Sequence, residues 1–228
     1  ASQISPGTWV GSLTSLECTK GYWVKSDVSF DLNLTGDLCS DSDTYYLHSG
    51  SNLISYNCKN PGYISNALPD NIEGLISGII GEGVAASQIS SGSWVGSLAM
   101  LEPGDGYWVT AEEDIEFEFV CPDDDEFVRA QENLIESPYT FNQSINQAFY
   151  FIENNHALNL EDGDIVLAFN NNTLVGSRAY SGAYTDIPVM GYMDESTLGY
   201  IKEGDIPTFK VEKANGDILT LTGDVPAF

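Results

Sequence analysis

The sequence predicts a mainly β protein made of tandem β-rich modules, one truncated and one with a short helix, followed by a C-terminal β-sandwich. A stretch of 24 residues occurs twice, at 1–24 and 86–109, with 17 identical positions, which indicates an internal duplication. Short apolar runs separated by Gly, Asn, Asp and Pro fill the C-terminal part, as expected of strands joined by turns. The predicted domains are a half-module at 1–44, a complete module at 45–121, a linker at 122–136 and a sandwich at 137–228.

Each copy of the repeat is followed by a strand-like run, at residues 27–30 after the first copy and 114–117 after the second. From Ile115 to Phe119, apolar residues alternate with glutamates. This period of two is typical of a strand that buries one face. The second copy is therefore predicted to continue into a half-buried strand.

The complete module contains elements that precede the second copy and have no counterpart before the first. Residues 45–58 have a strand–turn–strand pattern. Residues 70–80 predict a short helix, because four aliphatic residues fall on one helical face and Asp70 and Glu73 have the spacing of a capping box. Gly81 would end this helix. The four aliphatic residues are Ile72, Leu75, Ile76 and Ile79.

Residues 1–44 correspond to only the back half of such a module. A half-module exposes an apolar face and open strand edges, and both are unfavourable in water. Three explanations are open: a fragment of a longer precursor, a fold that tolerates the loss, or a neighbouring subunit that supplies the missing strands. We favour the third. The chain opens at Ala1 without an initiator Met, which predicts a processed polypeptide.

The C-terminal part is predicted to be a β-sandwich of about 90 residues, because several short strands follow one another at regular spacing. The charged residues before it, 122–136, are poor in strand signals and predict a linker or a short helix. Three consecutive asparagines, at 170–172, predict a tight hairpin turn. The predicted strands lie within 141–155 and at 165–169, 174–178, 187–192, 208–212 and 218–221.

Four cysteines, Cys18, Cys39, Cys58 and Cys121, are an even number without a C-x-x-C pair. Disulfides in an oxidising compartment fit this pattern better than zinc or free thiols. Three pairings are possible. We expect Cys18–Cys39 and Cys58–Cys121, because each pair would join strands that the repeat pattern brings together.

The charge of the chain excludes several partners. With 8 Lys and Arg against 34 Asp and Glu, the formal net charge is −26. Nucleic acids and anionic membrane surfaces need a basic footprint that this chain lacks. No apolar run approaches the roughly 18 residues that span a bilayer, so no membrane insertion is predicted.

Two regions resemble domains of secreted and cell-surface proteins, mainly from marine bacteria. The first is a β-rich repeat module, with LxxGxNLIS at 47–55, WVGSL at 94–98 and GYWV at 106–109; Ser51 stands where those modules often carry Trp. The second is a terminal β-sandwich, with its motifs DIxxAF, LVG, DIPVMG and GDxPTFK between residues 164 and 210. The matching motifs are turns and core strands. The resemblance implies an extracellular, modular and non-enzymatic role, with no catalytic residues to assign.

The residues give little support for an enzyme. The chain has only His48 and His156, and it lacks HExxH, G-x-S-x-G, the P-loop and G-x-G-x-x-G. Pairs of carboxylates that could hydrolyse a glycoside are expected by coincidence in so acidic a chain. No catalytic residue and no organic cofactor are therefore predicted.

Calcium is a possible ligand, because it prefers several carboxylate and carbonyl oxygens that converge from loops. For any single acidic cluster, a solvated loop that keeps the protein soluble is the favoured interpretation, and none of the clusters completes an EF-hand. The candidate ligands are Asp37, Asp41 and Asp43; Asp123, Asp124, Asp125 and Glu126; and Glu161, Asp162 and Asp164.

Six aromatic residues of the repeat are candidates for an interaction surface. Adjacent Tyr-Trp pairs on a strand point to opposite faces, so about half of these rings are expected in the core. The others could form a contact between subunits or stack on sugars, and we favour the subunit contact because aromatic residues are enriched at interfaces. The six are Trp9, Tyr22, Trp23, Trp94, Tyr107 and Trp108.

The sequence thus favours a non-enzymatic extracellular structural protein that assembles with itself. Residues 1–44 of one chain would be completed by strands of the next, giving a head-to-tail homopolymer such as a filament or surface layer. The alternative is a carbohydrate-binding or adhesive module of a larger secreted protein. Glycans are the other expected partner in that case.

Overall fold

A computed structural model describes residues 1–26, 28, 31, 39–123 and 137–228. Strands dominate these residues, and the α-helices among them are single turns. The predicted mainly β fold is confirmed. None of the helices in the described ranges is both long and apolar enough to cross a membrane. The predicted strand at 27–30, apart from residue 28, and the predicted linker beyond residue 123 lie outside the described residues.

The N-terminal segment forms a separate antiparallel hairpin of β1 (Ser2–Ser5) and β2 (Thr8–Val10). Every residue of both strands is exposed. Among the described residues, β1 and β2 pair only with each other.

The middle module is built around a five-stranded antiparallel sheet with the strand order β4-β10-β6-β7-β8. Two small antiparallel pairs, β11 with β3 and β5 with β9, complete it. The strands are β3 (Tyr45–Leu47), β4 (Gly50–Ser55), β5 (Gly62–Tyr63), β6 (Ile76–Ile80), β7 (Ala85–Ser90), β8 (Ser93–Val95), β9 (Met100–Leu101), β10 (Gly106–Ala111) and β11 (Ile115–Phe117), and the helices are α1 (Ile64–Ala67) and α2 (Asp70–Glu73).

One apolar core fills this module. Side chains of the inner sheet face, such as Tyr107, Val109 and Ile79, are almost fully buried. They pack with an aromatic cluster whose ring centroids lie 5.0 to 5.3 Å apart, in stacked and edge-to-face arrangements. The cluster consists of Tyr45, Tyr56, Phe117 and Phe119.

The prediction of a helix at 70–80 is wrong for most of these residues. Helix α2 follows Pro69 at its N-cap, which makes no side-chain cap, and ends at Glu73, and residues 76–80 form strand β6 between β10 and β7. The pairing with β10 shifts register between Gly78 and Ile76, which is a bulge. Because of the bulge, Ile76 and Ile79 are both buried in the same core although they are three positions apart. This spacing of buried residues is the same as that of one face of a helix.

The two repeat copies share their local structure. Hairpin β7–β8 has the pairing of β1–β2 shifted by 85 positions, with Gln88 opposite Trp94 where Gln3 faces Trp9. The turn that follows is also reproduced: the Tyr22 hydroxyl accepts from the Glu17 amide at 2.8 Å, and the Tyr107 hydroxyl accepts from the Glu102 amide at 2.8 Å. The repeated sequence therefore encodes the same hairpin and turn twice.

The packing of the two copies differs. In the second copy, β7 pairs with β6, and Trp94 packs against the module core. In the first copy, Trp9 at the equivalent position is 62% exposed. Leu16 is 54% exposed where its counterpart Leu101 is 1% exposed. The first copy thus presents to solvent Trp9 and Leu16, whose counterparts in the second copy pack in or against the module core.

The C-terminal domain consists of two antiparallel sheets, β12–β15 and β14-β13-β16-β17. Alternate residues of both sheets, including Val166, Ile187, Val189 and Val211, are fully buried in a second core. The predicted Thr208–Glu212 strand has the observed bounds, and Asn171 adopts a positive φ of 53° in the predicted turn. The strands are β12 (Gln147–Glu153), β13 (Ile165–Asn170), β14 (Thr173–Ala179), β15 (Tyr184–Met190), β16 (Thr208–Glu212) and β17 (Ile218–Thr220), with a 3₁₀ turn at Glu195–Thr197.

Two disulfides cross-link the described residues, Cys18–Cys39 and Cys58–Cys121, with Cα–Cα distances of 5.5 and 5.3 Å. This is the pairing expected from the sequence. The first disulfide fixes the segment after the N-terminal hairpin. The second joins the start and the end of the middle module across 63 positions.

Candidate functional site

A groove with a volume of about 1120 Å³ lies between the middle module, the N-terminal segment and the C-terminal domain. Its floor is the outer face of the five-stranded sheet. There Trp108 stands between its cross-strand partners Leu53 on β4 and Ile80 on β6. The three side chains form an apolar row across the sheet, on the face opposite the module core.

Residues 22–26 of the first repeat copy form one wall of the groove. They are held against β4, because the Gly21 amide donates to the Leu53 carbonyl at 3.2 Å and the Ser55 hydroxyl donates to the Cys18 carbonyl. A Cβ atom at Gly21 would lie 2.6 Å from the Ile54 carbonyl oxygen, so this approach requires glycine.

The opposite walls come from two other parts of the chain. Tyr63 on β5 and Met100 on β9 are register partners and line one end. Residues 142–145, Met193 and Ser196 of the C-terminal domain line another side. Lys25 joins two of the walls through an ion pair with Asp194.

A buried ion pair links the C-terminal domain to the module beside this groove. Asp186 is fully buried, and its Oδ2 accepts from Arg178 at 3.2 Å and from the Ser97 hydroxyl of the module at 2.7 Å. Arg178 also donates to the Gly83 carbonyl in the loop between β6 and β7. These contacts fix the position of the C-terminal wall relative to the floor.

The groove is acidic at its edge. Glu82, Glu102 and Asp105 line it, and none of them belongs to the four ion pairs among the described residues. Burial raises the pKa of the Asp105 carboxyl. Hydrogen bonds from Lys25 and Ser196 lower the pKa of Asp194 to about 2. The site therefore carries free carboxylates and one ammonium that is already paired.

The structure divides the six candidate aromatic residues into three groups. Tyr22, Trp23 and Trp108 line the groove. Tyr107 is buried in the module core, although it also lines the groove, and Trp94 packs against that core. Trp9 stands apart on the exposed hairpin. Since Trp23 and Trp108 are 85 positions apart, equivalent tryptophans of the two copies line one groove.

The repeat pattern did not indicate two residues: Tyr63, which lines the groove, and Glu73, which lies outside it and holds Trp94. Tyr63 is 41% exposed at the end of the groove. It precedes the second copy and has no counterpart in the first, so the repeat could not indicate it. Glu73 is buried, and its Oε1 accepts from the Trp94 indole at 2.8 Å. The first copy has no described partner of this kind for Trp9.

The candidate calcium ligands are spread over three loops. Asp41 pairs with Lys59 at 3.4 Å, Asp43 accepts from the Ser40 amide, Asp123 and Asp162 are exposed, and Asp37, Asp124, Asp125 and Glu126 lie outside the described residues. In the described ranges no three His, Cys, Asp or Glu side chains converge as metal ligands. Calcium binding at these loops stays a prediction.

Asp164 has a structural role in the C-terminal domain. Its carboxylate accepts from Lys213 and from the backbone amides of Glu161 and Ala214. Burial raises the pKa of Asp164, but these hydrogen bonds outweigh burial and hold the pKa below its usual value. The ammonium of Lys213 thus provides the positive charge beside this carboxylate.

Comparisons of the chain with protein-family models, with curated proteins and with solved structures found no match.

Proposed function

We propose that this protein is a non-enzymatic structural subunit that assembles head to tail into an extracellular filament or surface layer. The observation that carries the proposal is the hairpin β1–β2, in which every strand residue is exposed. Residues 1–16 contain no charged side chain, although the chain carries 42 charged residues in total, 8 basic and 34 acidic. An uncharged, exposed hairpin with an open edge favours association with another strand.

The second repeat copy provides the template for that association. There β7 pairs along its edge with β6, through Ser87 opposite Gly78. The equivalent edge of β1 has no partner among the described residues. A strand from a neighbouring chain that runs along the whole of β1, further than β6 runs along Ala85–Ser87 of β7, would pair the free backbone groups and cover Ile4 and Trp9.

Strand β17 is the best donor in the described part of the chain. It is the edge strand of the four-stranded sheet, and its residues Ile218, Leu219 and Thr220 are all exposed. Among the described strands, only β1, β2 and β17 are exposed at every position. Pairing of β17 with β1 joins two different surfaces, so the contact is heterologous and repeats along an open fibre when the rotation between subunits does not close into a ring.

Charge supports a contact between the N-terminal segment and the rest of a second copy. Residues 1–26 carry Lys20, Lys25 and Glu17, a net charge of 2 − 1 = +1. Residues 27–228 therefore carry −26 − 1 = −27. Since whole subunits repel one another, we expect assembly to increase when salt or calcium screens that repulsion.

Two disulfides support an extracellular location, because such bonds persist in oxidising compartments. They also tie the N-terminal segment and the module into fixed shapes. A subunit that must hold an exposed hairpin in position outside the cell benefits from both properties.

Substitution of Ile4 by glutamate tests the proposal. A carboxylate in the centre of the contact cannot be paired there, so Ile4→Glu should abolish fibres that the wild-type chain forms in calcium or high salt. Ile89→Glu is the matched control, because Ile89 is the repeat counterpart of Ile4 and is 58% exposed against 65%. Electron microscopy of the three proteins provides the readout.

Ile89→Glu should assemble like the wild type. Dispersed wild-type monomers with and without calcium, at low and at high salt, would contradict the proposal. Equal fibres from the wild type and Ile4→Glu would show that the hairpin is not the contact.

A further inference from the structure

We propose that the groove between the module and the C-terminal domain binds a chain of a neutral polysaccharide. This function is separate from self-assembly, since the groove does not include β1, β2 or β17. The argument rests on the exposed rings, on the unpaired polar groups and on the size of the groove.

Three aromatic rings from three parts of the chain stand half-exposed in one groove. Trp23 is 40%, Tyr63 41% and Trp108 36% exposed. Large rings usually bury more of their surface, and a cluster of exposed rings in a concave site indicates a ligand. The face of a pyranose ring carries several C–H groups, which pack on the electron-rich face of an aromatic ring.

The apolar row on the floor of the groove suits the apolar face of a sugar ring. Leu53, Trp108 and Ile80 lie side by side on adjacent strands, so the indole of Trp108 is supported on both edges. Strands of a sheet lie about 4.8 Å apart, and the row therefore spans roughly 10 Å, the length of about two sugar units. Trp23 and Tyr63 extend the aromatic surface beyond this row.

Polar groups surround the rings. The carboxylates of Glu82, Glu102 and Asp105 are acceptors for sugar hydroxyls, and the Gln143 side chain, which is exposed in the same groove, provides both a donor and an acceptor. The combination of a few placed polar groups with aromatic walls is typical of small-molecule sites.

Charge and volume define the class of ligand. Three unpaired carboxylates repel anionic polysaccharides, and the ammonium of Lys25 is already paired with Asp194. The volume of about 1120 Å³ exceeds the usual range of sites for small ligands, so the groove has room for an oligosaccharide rather than a single sugar. The ligand class is therefore a neutral polysaccharide.

The test is isothermal titration of the full chain with neutral hexasaccharides of glucose, xylose, mannose and N-acetylglucosamine, and with an anionic alginate hexasaccharide. We expect binding to at least one neutral probe and none to alginate. Trp108→Ala and Trp23→Ala should each weaken binding roughly tenfold or more, because each removes a stacking surface. Trp108→Phe should retain part of the affinity.

Trp9→Ala is the matched control, since Trp9 lies on the hairpin outside the groove. It should bind like the wild type while failing to form fibres, which separates this inference from the proposal of self-assembly. Circular dichroism checks that each variant is folded.

The inference is overturned when no neutral probe binds, when alginate binds as well as the neutral probes, or when Trp108→Ala keeps wild-type affinity. If Trp108→Ala abolishes fibres and leaves sugar binding unchanged, the groove is a contact between subunits instead.

Discussion

Replacing Gly176 by alanine should destabilise the C-terminal domain by about 3 kcal/mol or more. Gly176 lies on β14, where the four-stranded sheet comes closest to the two-stranded sheet. A Cβ atom at this position would lie 1.6 Å from the Pro188 carbonyl oxygen and 2.8 Å from its carbonyl carbon. Both obstacles are backbone atoms of a fully buried strand, so no side chain can rotate away. The two sheets would have to separate, which opens the core around Val175 and Val189.

Urea unfolding of wild type and Gly176→Ala, followed by circular dichroism, measures this effect. All four tryptophans precede residue 109, so their fluorescence does not report on this domain. Gly223→Ala is the control, because a Cβ there meets no atom within 4 Å. An unchanged unfolding midpoint for Gly176→Ala would mean that the sheets are not in contact at this point.

Removing the positive charge of Arg178 should cost about 3–5 kcal/mol, because Arg178→Met leaves the fully buried Asp186 carboxylate without its counterion. The Ser97 hydroxyl would remain as a partner of Oδ2, and Oδ1 has no partner among the described residues even in the wild type. The double variant Arg178→Met/Asp186→Leu should recover most of the loss, since it removes both charges together.

The same urea titration checks this prediction, with Lys25→Met as the control. Lys25 pairs with Asp194 at the surface, where both side chains are solvated, so its loss should leave the midpoint nearly unchanged. Equal losses in the single and double variants would show that Arg178 acts through packing and not through its charge.

Much of the architecture could be predicted from the sequence because the repeat and the period of two are local signals. The two copies of the repeat, 85 positions apart, form the same hairpin with the same bulge, and the same turn follows at Tyr22 and at Tyr107. The strand predicted at 208–212 has the observed bounds, and its alternate residues Phe209 and Val211 are buried.

The prediction of a helix at 70–80 was wrong because the spacing of the buried isoleucines results from the pairing of β6 with its neighbouring strand. The bulge in β6 places Ile76 and Ile79 on one side, and this bulge lies in the pairing of β6 with the neighbouring strand β10. Isoleucine favours strands, which agrees with the observed result.

The groove could be predicted only in part. The repeat indicated Trp23 and Trp108 as candidates, and strand alternation placed Tyr107 on the opposite face from Trp108. Tyr63 and the C-terminal wall come from segments distant in sequence, and the C-terminal wall is joined to the module by the hydrogen bonds from Ser97 to Asp186 and from Arg178 to Gly83. Contacts between segments that lie far apart in the sequence cannot be predicted from local sequence patterns.

The head-to-tail assembly is tested most directly by mixing two variants, each of which has lost one of the two contact surfaces. Ile4→Glu removes the hairpin contact and leaves β17 intact, whereas Leu219→Glu, on the exposed strand β17, does the reverse. Each variant alone should remain a monomer of about 24.8 kDa, and an equimolar mixture should form a dimer of twice that mass and no larger species, measured by light scattering after gel filtration. Fibres from either variant alone, or a mixture that stays monomeric where the wild type forms fibres, would contradict the pairing of β1 with β17.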